Sequence, residues 1–188
     1  LFMMVEVQEV VGISPKDFGK PLSEVVLASL KDQYEGTISE ELGYIVLVSE
    51  ATVDPLGHLF PRDGSTYHRC NFKLITFMPK LQEVVLGEVV EVTEFGCFLR
   101  VGPLDGLLHI SQITDDFISY DEKHGVLVGK KLGKRLASGD DARARIVAVS
   151  LTSGAGGKIG LTTRQPMLGK LSWIEEEKQK GEATVSQR

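Results

Sequence analysis

Apolar and polar residues alternate from the start of the chain, and Val5, Val7, Val10, Val11 and Ile13 in VEVQEVVGI describe a strand that closes between Gly12 and Pro15. The period then lengthens. Between Pro21 and Glu35, Leu22, Val26, Leu30 and Tyr34 return every fourth residue with Val25 and Leu27 beside them, and Gly36 supplies a stop. This spacing predicts an amphipathic helix lying on a sheet. GYIVLVSEATV, rich in branched side chains, and YHRCNFKLITFMP give further strands, and the loop between them, GHLFPRDGST, carries Pro61 and an Asp63-Gly64 turn signal. Strand, helix and strands together make a small α+β layer over residues 1–80.

Past Met78-Pro79-Lys80 the pattern changes to short strands with regular turn signals. VVLGEVVEVTEF, GCFLRVG, GLLHIS, DDARARIVAVSL and GKIGLTTR are five strand candidates, which is the complement of a small Greek-key barrel over residues 81–188. A long insert separates the third from the fourth, and its VLVGKKLGKRL is predicted to be an extra hairpin carrying lysines. Ser172-x-x-Glu175 is a capping-box candidate for a short helix around WIEEEKQK, with GEATVSQR as a frayed tail.

Composition narrows the class without changing this layout. Of 188 residues 42% are hydrophobic and 25% charged, as in ordinary globular chains. No apolar run approaches the roughly 20 residues of a membrane span, and LFMMVEVQEVV has neither a basic n-region nor a small-residue cleavage site, so a cytoplasmic chain is expected. The net charge of -5 argues against coating duplex DNA. Its distribution is uneven: Lys123 to Arg145 holds seven basic residues against two acids, while residues 1–80 hold seven against eleven. Cys70 and Cys97 form no CxxC and are expected as buried small hydrophobes. His68-x-Cys70 lacks the second pair that zinc needs, so no metal and no cofactor are expected.

Chemistry concentrates in GEVVEVTEFGCFLRVGPLDGLLHIS. Alternation puts Phe98 and Arg100 on one face of the second barrel strand and Cys97, Leu99 and Val101 on the core side. Gly96 permits a bulge that would turn Phe95 outward as well. On the fourth strand Arg143 and Arg145 alternate with Ala142, Ala144 and Ile146. Rings flanked by guanidinium groups suit single-stranded nucleic acid, since bases stack on rings while cations follow phosphates. The plainer alternative has both rings finishing the core, the arginines solvated, and His109 a structural histidine.

That stretch closely resembles the RNA-binding domain first described in ribosomal protein S-one, an OB-fold barrel, through its Gly, Phe-Gly-x-Phe and Gly-Leu-x-His-x-Ser signature. With PKDFGKPL, YEGTI, PRDGSTYH, LDGLLHISQI and RQPMLGKLSWIEEEK, the whole chain resembles the family of the E-prime component of archaeal DNA-directed RNA polymerase. The resemblance implies a truncated ribonucleoprotein-like tip domain docking on the core enzyme, then an RNA-binding OB barrel. It also implies a heterodimer with the small helical F component of the polymerase, in a stalk that binds emerging transcript and assists initiation, processivity and termination. Phe95, Phe98 and His109 match the barrel's RNA-facing positions, and Arg100 shares the face of Phe98. Lys130, Lys131, Arg143, Arg145, Lys158 and Arg164 are the expected phosphate contacts. Where many such barrels carry an acidic residue after the fourth strand, this chain has Ser150 and an SGAGGK turn. In the tip, Gly57, His58, Pro61, Asp63 and Gly64 are the expected contacts with the large polymerase subunits. VLVSEATV and FKLITFMPKL are candidates for the interface with the F component.

Catalysis is not expected. There is no GxxxxGK followed by Ser or Thr, no GxSxG and no HExxH, and the doublets Asp115-Asp116 and Asp140-Asp141 would point to opposite faces of a strand. A translation or RNA-decay adaptor could use the same barrel, but would have no need of the first half or of the RQPMLGKLSWIEEE ending.

Overall fold

A computed structural model describes residues 1–152 and 156–185. The chain forms two compact units, Leu1–Met78 with Leu151–Gly156, and Pro79–Ser150 with Gly157–Arg188. The first holds β1 (Phe2–Ile13), α1 (Leu22–Tyr34), β2 (Ile38–Ser39), β3 (Gly43–Leu59) and β4 (Thr66–Phe77), with the sheet in the order β1-β4-β3-β2. Val26 and Leu30 of α1 are fully buried against Val11, Ile13, Ile45, Val48, Phe72 and Leu74. Each such side chain contributes about 1.5–3 kcal/mol by leaving water.

One expectation fails here. β3 does not stop near Val53 but continues to Leu59, so Gly57 and His58 are strand residues paired with His68 and Tyr67. Register shifts between Val48 and Ala51 and between Val53 and Gly57 absorb extra residues, and Pro55 falls inside the second irregularity, where a missing N–H does little harm. Cross-strand bonding to β4 holds the segment extended where side-chain alternation gives no signal.

The second unit holds β5 (Val84–Thr93), β6 (Gly96–Val101), β7 (Leu104–His109), β8 (Ile118–Asp121), β9 (Val126–Gly129), β10 (Arg135–Ala137), β11 (Asp141–Thr152), β12 (Gly156–Thr162), β13 (Gly169–Lys170) and α2 (Leu171–Val185). Its main sheet runs β12-β7-β6-β5-β11-β13, and a further β12–β11 pairing closes five strands into a barrel. Residues expected on the core side are there: Cys97, Leu99, Ala144 and Ile146 are fully buried, and Val101 nearly so. Burial pushes the Cys97 thiol up to about 12, which leaves it unreactive at neutral pH.

The insert adds β8 to the expected hairpin of β9 and β10, making a three-stranded sheet in the order β10-β9-β8. The last helix begins at Leu171 and runs to Val185, so Ser172 lies inside its first turn rather than capping it, and the segment from Gly181 continues the helix. Trp173 and Ile174 fix its first turn in the core. The tail residues 186–188 and residues 153–155 of the SGAGGK turn lie outside the described residues.

Candidate nucleic-acid interface

β5 and β6 are joined through a two-residue turn, Glu94-Phe95, with Thr93 opposite Gly96 and the Thr93 hydroxyl donating to the Gly96 carbonyl at 3.0 Å. Phe95 is turned outward by this turn and not by a bulge at Gly96; the bulge lies on β5, between Val89 and Glu91. Gly96 is nevertheless required. Its φ is +152°, and a Cβ there would sit 2.3 Å from the Leu108 carbonyl oxygen. Phe95 is 45% exposed, Phe98 is half-buried, and their rings meet edge to face at 6.3 Å. Beside them an open groove of about 710 Å³ is lined by Phe98, Leu107 and Ile159, with Glu91, Asp105 and Lys158 at its polar positions. Lys158 is exposed.

Arg100 stands opposite Asp105 on β7 and Glu88 on β5, and its Nε donates to the Asp105 carboxylate at 3.1 Å. Both side chains are largely in water, so this pair is weak enough to yield to a phosphate. His109 pairs with Gly96 and uses Nδ1 to accept from the Ser111 backbone N–H at 3.2 Å, capping the 3-10 turn Ile110–Gln112. Only its Nε2 remains for a ligand. Arg164 donates to the Asp115 carboxylate and, at 3.4 Å, to the Ser111 carbonyl, which links it through Ser111 to His109.

The other predicted cations lie elsewhere. Arg143 and Arg145 stand opposite Leu86 and Val84, towards the start of β5, whereas Phe98 stands opposite Glu91 near its end. The acids Glu88 and Asp141, themselves a cross-strand pair, lie between. Arg145 donates to the Gln82 carbonyl at 2.9 Å, so both arginines flank the opposite stretch of the barrel rather than the rings. Lys130 and Lys131 sit at the β9–β10 tip of the insert, where the Lys130 ammonium lies 4.6 Å from the centre of the Phe117 ring. Sequence reasoning passed over Phe117, which is 65% exposed.

In the first unit the β3–β4 hairpin presents Gly57, His58, Pro61, Asp63 and Gly64, all exposed. A Cβ on Gly57 would lie 2.6 Å from the His68 ring, so its small size accommodates that buried histidine. His68 is held by the Asp54 carbonyl at 2.9 Å and the Thr66 hydroxyl at 3.1 Å. The turn itself centres on Pro61-Arg62 rather than Asp63-Gly64: the Asp63 N–H donates to the Phe60 carbonyl at 3.2 Å, with Arg62 in the left-handed region at φ +70°. The Asp63 carboxylate accepts from the Tyr67 hydroxyl at 2.6 Å and the Ser65 N–H at 3.0 Å, which holds it below the usual carboxylate range. Leu56, Leu59 and Phe60 are all more than half exposed around this turn, an apolar tip that turn signals alone did not reveal.

Comparison with known proteins agrees with the fold. The S1 RNA binding domain family matches residues 78–149, and the family described as "SHS2 domain found in N terminus of Rpb7p/Rpc25p/MJ0397" matches residues 8–64. DNA-directed RNA polymerase subunit Rpo7 of Saccharolobus shibatae is 43% identical over 179 residues, covering 95% of this chain and 99% of the relative. Rpo7 of Sulfolobus acidocaldarius is 37% identical over 177 residues, covering 94% and 97%. RNA polymerase II subunit RPB7 of Saccharomyces cerevisiae is 27% identical over 106 residues, covering 55% and 62%. With this identity maintained along nearly its whole length, the chain belongs to the Rpo7 family of DNA-directed RNA polymerase subunits.

Proposed function

We propose that the chain is a non-catalytic stalk component of a cytoplasmic DNA-dependent RNA polymerase. In this role it pairs with the small helical F component, docks on the core enzyme and binds nascent single-stranded RNA, assisting initiation, processivity and termination. Membership of the Rpo7 family supports the polymerase assignment. The observation that carries RNA binding is the outward ring pair, Phe95 and Phe98, beside a groove that also holds Lys158. Stacking on such rings is worth about 1–3 kcal/mol per base and tolerates any sequence. His109 Nε2 would supply a further contact as it stands, and Arg100 and Arg164 would supply others once their intramolecular partners give way.

Docking on the large subunits is assigned to the β3–β4 tip. Aliphatic side chains in water, with few positive charges near them, fit an apolar groove on a protein better than a polyanion. For the F component the choice is narrower than the sequence suggests. Val48, Phe72, Leu74 and Phe77 are buried in the core, leaving Leu47 and Leu81 exposed and Val46, Val53, Ile75 and Met78 partly exposed in the two candidate stretches.

A tagged pull-down with the co-purifying chains identified by mass tests the assignment. Large polymerase subunits and a small helical chain in stoichiometric amounts are expected; ribosomal or RNA-decay components in their place would overturn the transcription role. In a filter-binding assay, Phe98→Ala with Arg100→Ala should weaken RNA binding about tenfold. Unchanged affinity would remove the ring surface from the proposal.

A further inference from the structure

We propose that the inserted sheet carries a second single-stranded RNA contact, built from Phe117, Lys130, Lys131 and Leu132, which takes the strand onward from the ring pair of the barrel groove. It rests on the RNA-binding role proposed above and extends it to a separate surface of the same unit.

The patch is unusual for a solvated turn. Phe117 is 65% exposed and Leu132 63%, and Lys130 and Lys131 lie between them in sequence and in water. Large apolar side chains standing out beside cations have the composition of a base-stacking platform with phosphate contacts. The Lys130 ammonium at 4.6 Å from the Phe117 ring centre occupies one face of the ring, leaving the other for a base.

The patch is also held in place before any ligand arrives. The Asp116 carboxylate accepts from the backbone N–H of Phe117 at 2.7 Å, of Lys131 at 2.9 Å and of Leu132 at 2.9 Å, tying the start of β8 to the β9–β10 tip. Those bonds hold the carboxyl below its ordinary range, and the Lys130 N–H closes the tip on the Phe117 carbonyl at 2.9 Å. A tip fixed in this way loses little entropy when a strand lies on it.

Polar groups lead from the groove to the patch. The Ile110 N–H donates to the Phe95 carbonyl, His109 is held by Ser111, Arg164 bonds both Ser111 and Asp115, and Asp115 precedes the clamping Asp116. Lys130 and Lys131 both stand in water at this tip, and their two charges favour a polyanion.

The test uses the full chain and two oligouridylates, one of about 6 nucleotides, enough for the groove, and one of about 20, enough for both surfaces. Phe117→Ala should lower affinity for the longer strand about tenfold and leave the shorter strand unchanged. Lys130→Ala with Lys131→Ala should reduce the log–log salt slope on the longer strand by about 1.4, two phosphates at about 0.7 each. Because Phe117 is exposed, its truncation should not shift the melting temperature; if it does, the lysine pair carries the test. Loss only through Phe98→Ala, with the Phe117 and lysine variants binding the longer strand like the parent, would overturn the second contact and leave the groove standing. Equal loss on both strands from Phe117→Ala would also overturn it, by placing the ring in the groove contact itself. A Phe98→Ala variant without effect on either strand would overturn both.

Discussion

The β3–β4 turn of the first unit and the β5–β6 turn of the barrel both hold aromatic rings at a hairpin end, yet the side chains beside those rings differ. At the first, Phe60 packs edge-on against Tyr67 at 5.1 Å, and the same hairpin end exposes the aliphatic Leu56 and Leu59 together with Arg62 and Asp63. At the second, Phe95 meets Phe98 at 6.3 Å beside a groove holding Lys158, with His109 and Arg164 beyond it. An aliphatic tip gains by leaving water whatever covers it, whereas rings near cations gain most from a partner that offers both π faces and negative charge. On the roles proposed above, what surrounds the ring would separate the two turns into a protein-docking surface and a nucleic-acid surface.

The glycines behind the two turns give the largest expected difference. Gly96→Ala drives a Cβ into backbone, 2.3 Å from the Leu108 oxygen and 2.9 Å from the His109 Cα, and should cost the barrel roughly 3 kcal/mol or more. Gly57→Ala meets only the His68 ring, which can shift, so about 1–2 kcal/mol is expected. Hydrogen exchange resolved by residue would show whether each loss stays in its own unit; equal losses would dissolve the distinction. Next in size, Phe60→Asp should weaken recovery of the large polymerase subunits at least tenfold, on the order of a hot-spot contact, with RNA affinity unchanged. Phe95→Ala should do the reverse, and a variant affecting both readouts would break the comparison.

The smallest effect expected is the response to acid. Asp63 is held below the ordinary aspartate value of 3.8 by the Tyr67 hydroxyl first and by Ser65 second. A depressed carboxyl contributes stability that is present above the unfolded value and is lost as pH falls through the folded one. The β3–β4 turn should therefore stay ordered at neutral pH and loosen only below pH 3.8. Phe60 and Tyr67 ring resonances followed through an acid titration would check this, and loosening near pH 6 would contradict it.

Much of this layout was legible because periodicity reports which side of an element is buried. Cys97, Leu99 and Val101 against Phe98 and Arg100, and Val26 and Leu30 on the helix, follow from spacing alone. Periodicity does not report which strands are neighbours, so it leaves Arg143 and Arg145 beside the rings, when β11 pairs them with the start of β5, away from Phe98. One pairing had a usable signal. Gly102-Pro103 makes a two-residue turn with Val101 opposite Leu104, which sets Arg100 against Asp105. The end of β3 and the whole of β8 had none, since bulged pairing holds the first and the second is only four residues long.

The closure of the barrel has a consequence for how the chain is made. β7 takes its second neighbour from Ile159–Leu161, pairing in parallel with residues that emerge from the ribosome only after the whole insert and β11. Until then the meander of β5, β6 and β7 waits with a free edge on β7, an invitation to pair with another nascent chain. The first unit's strands and helix are, apart from the Leu151–Gly156 segment, already synthesised by that stage. Slower translation across residues 110–160 should therefore lower the yield of folded chain without changing its final stability, which expression from fast and slow synonymous codons would check.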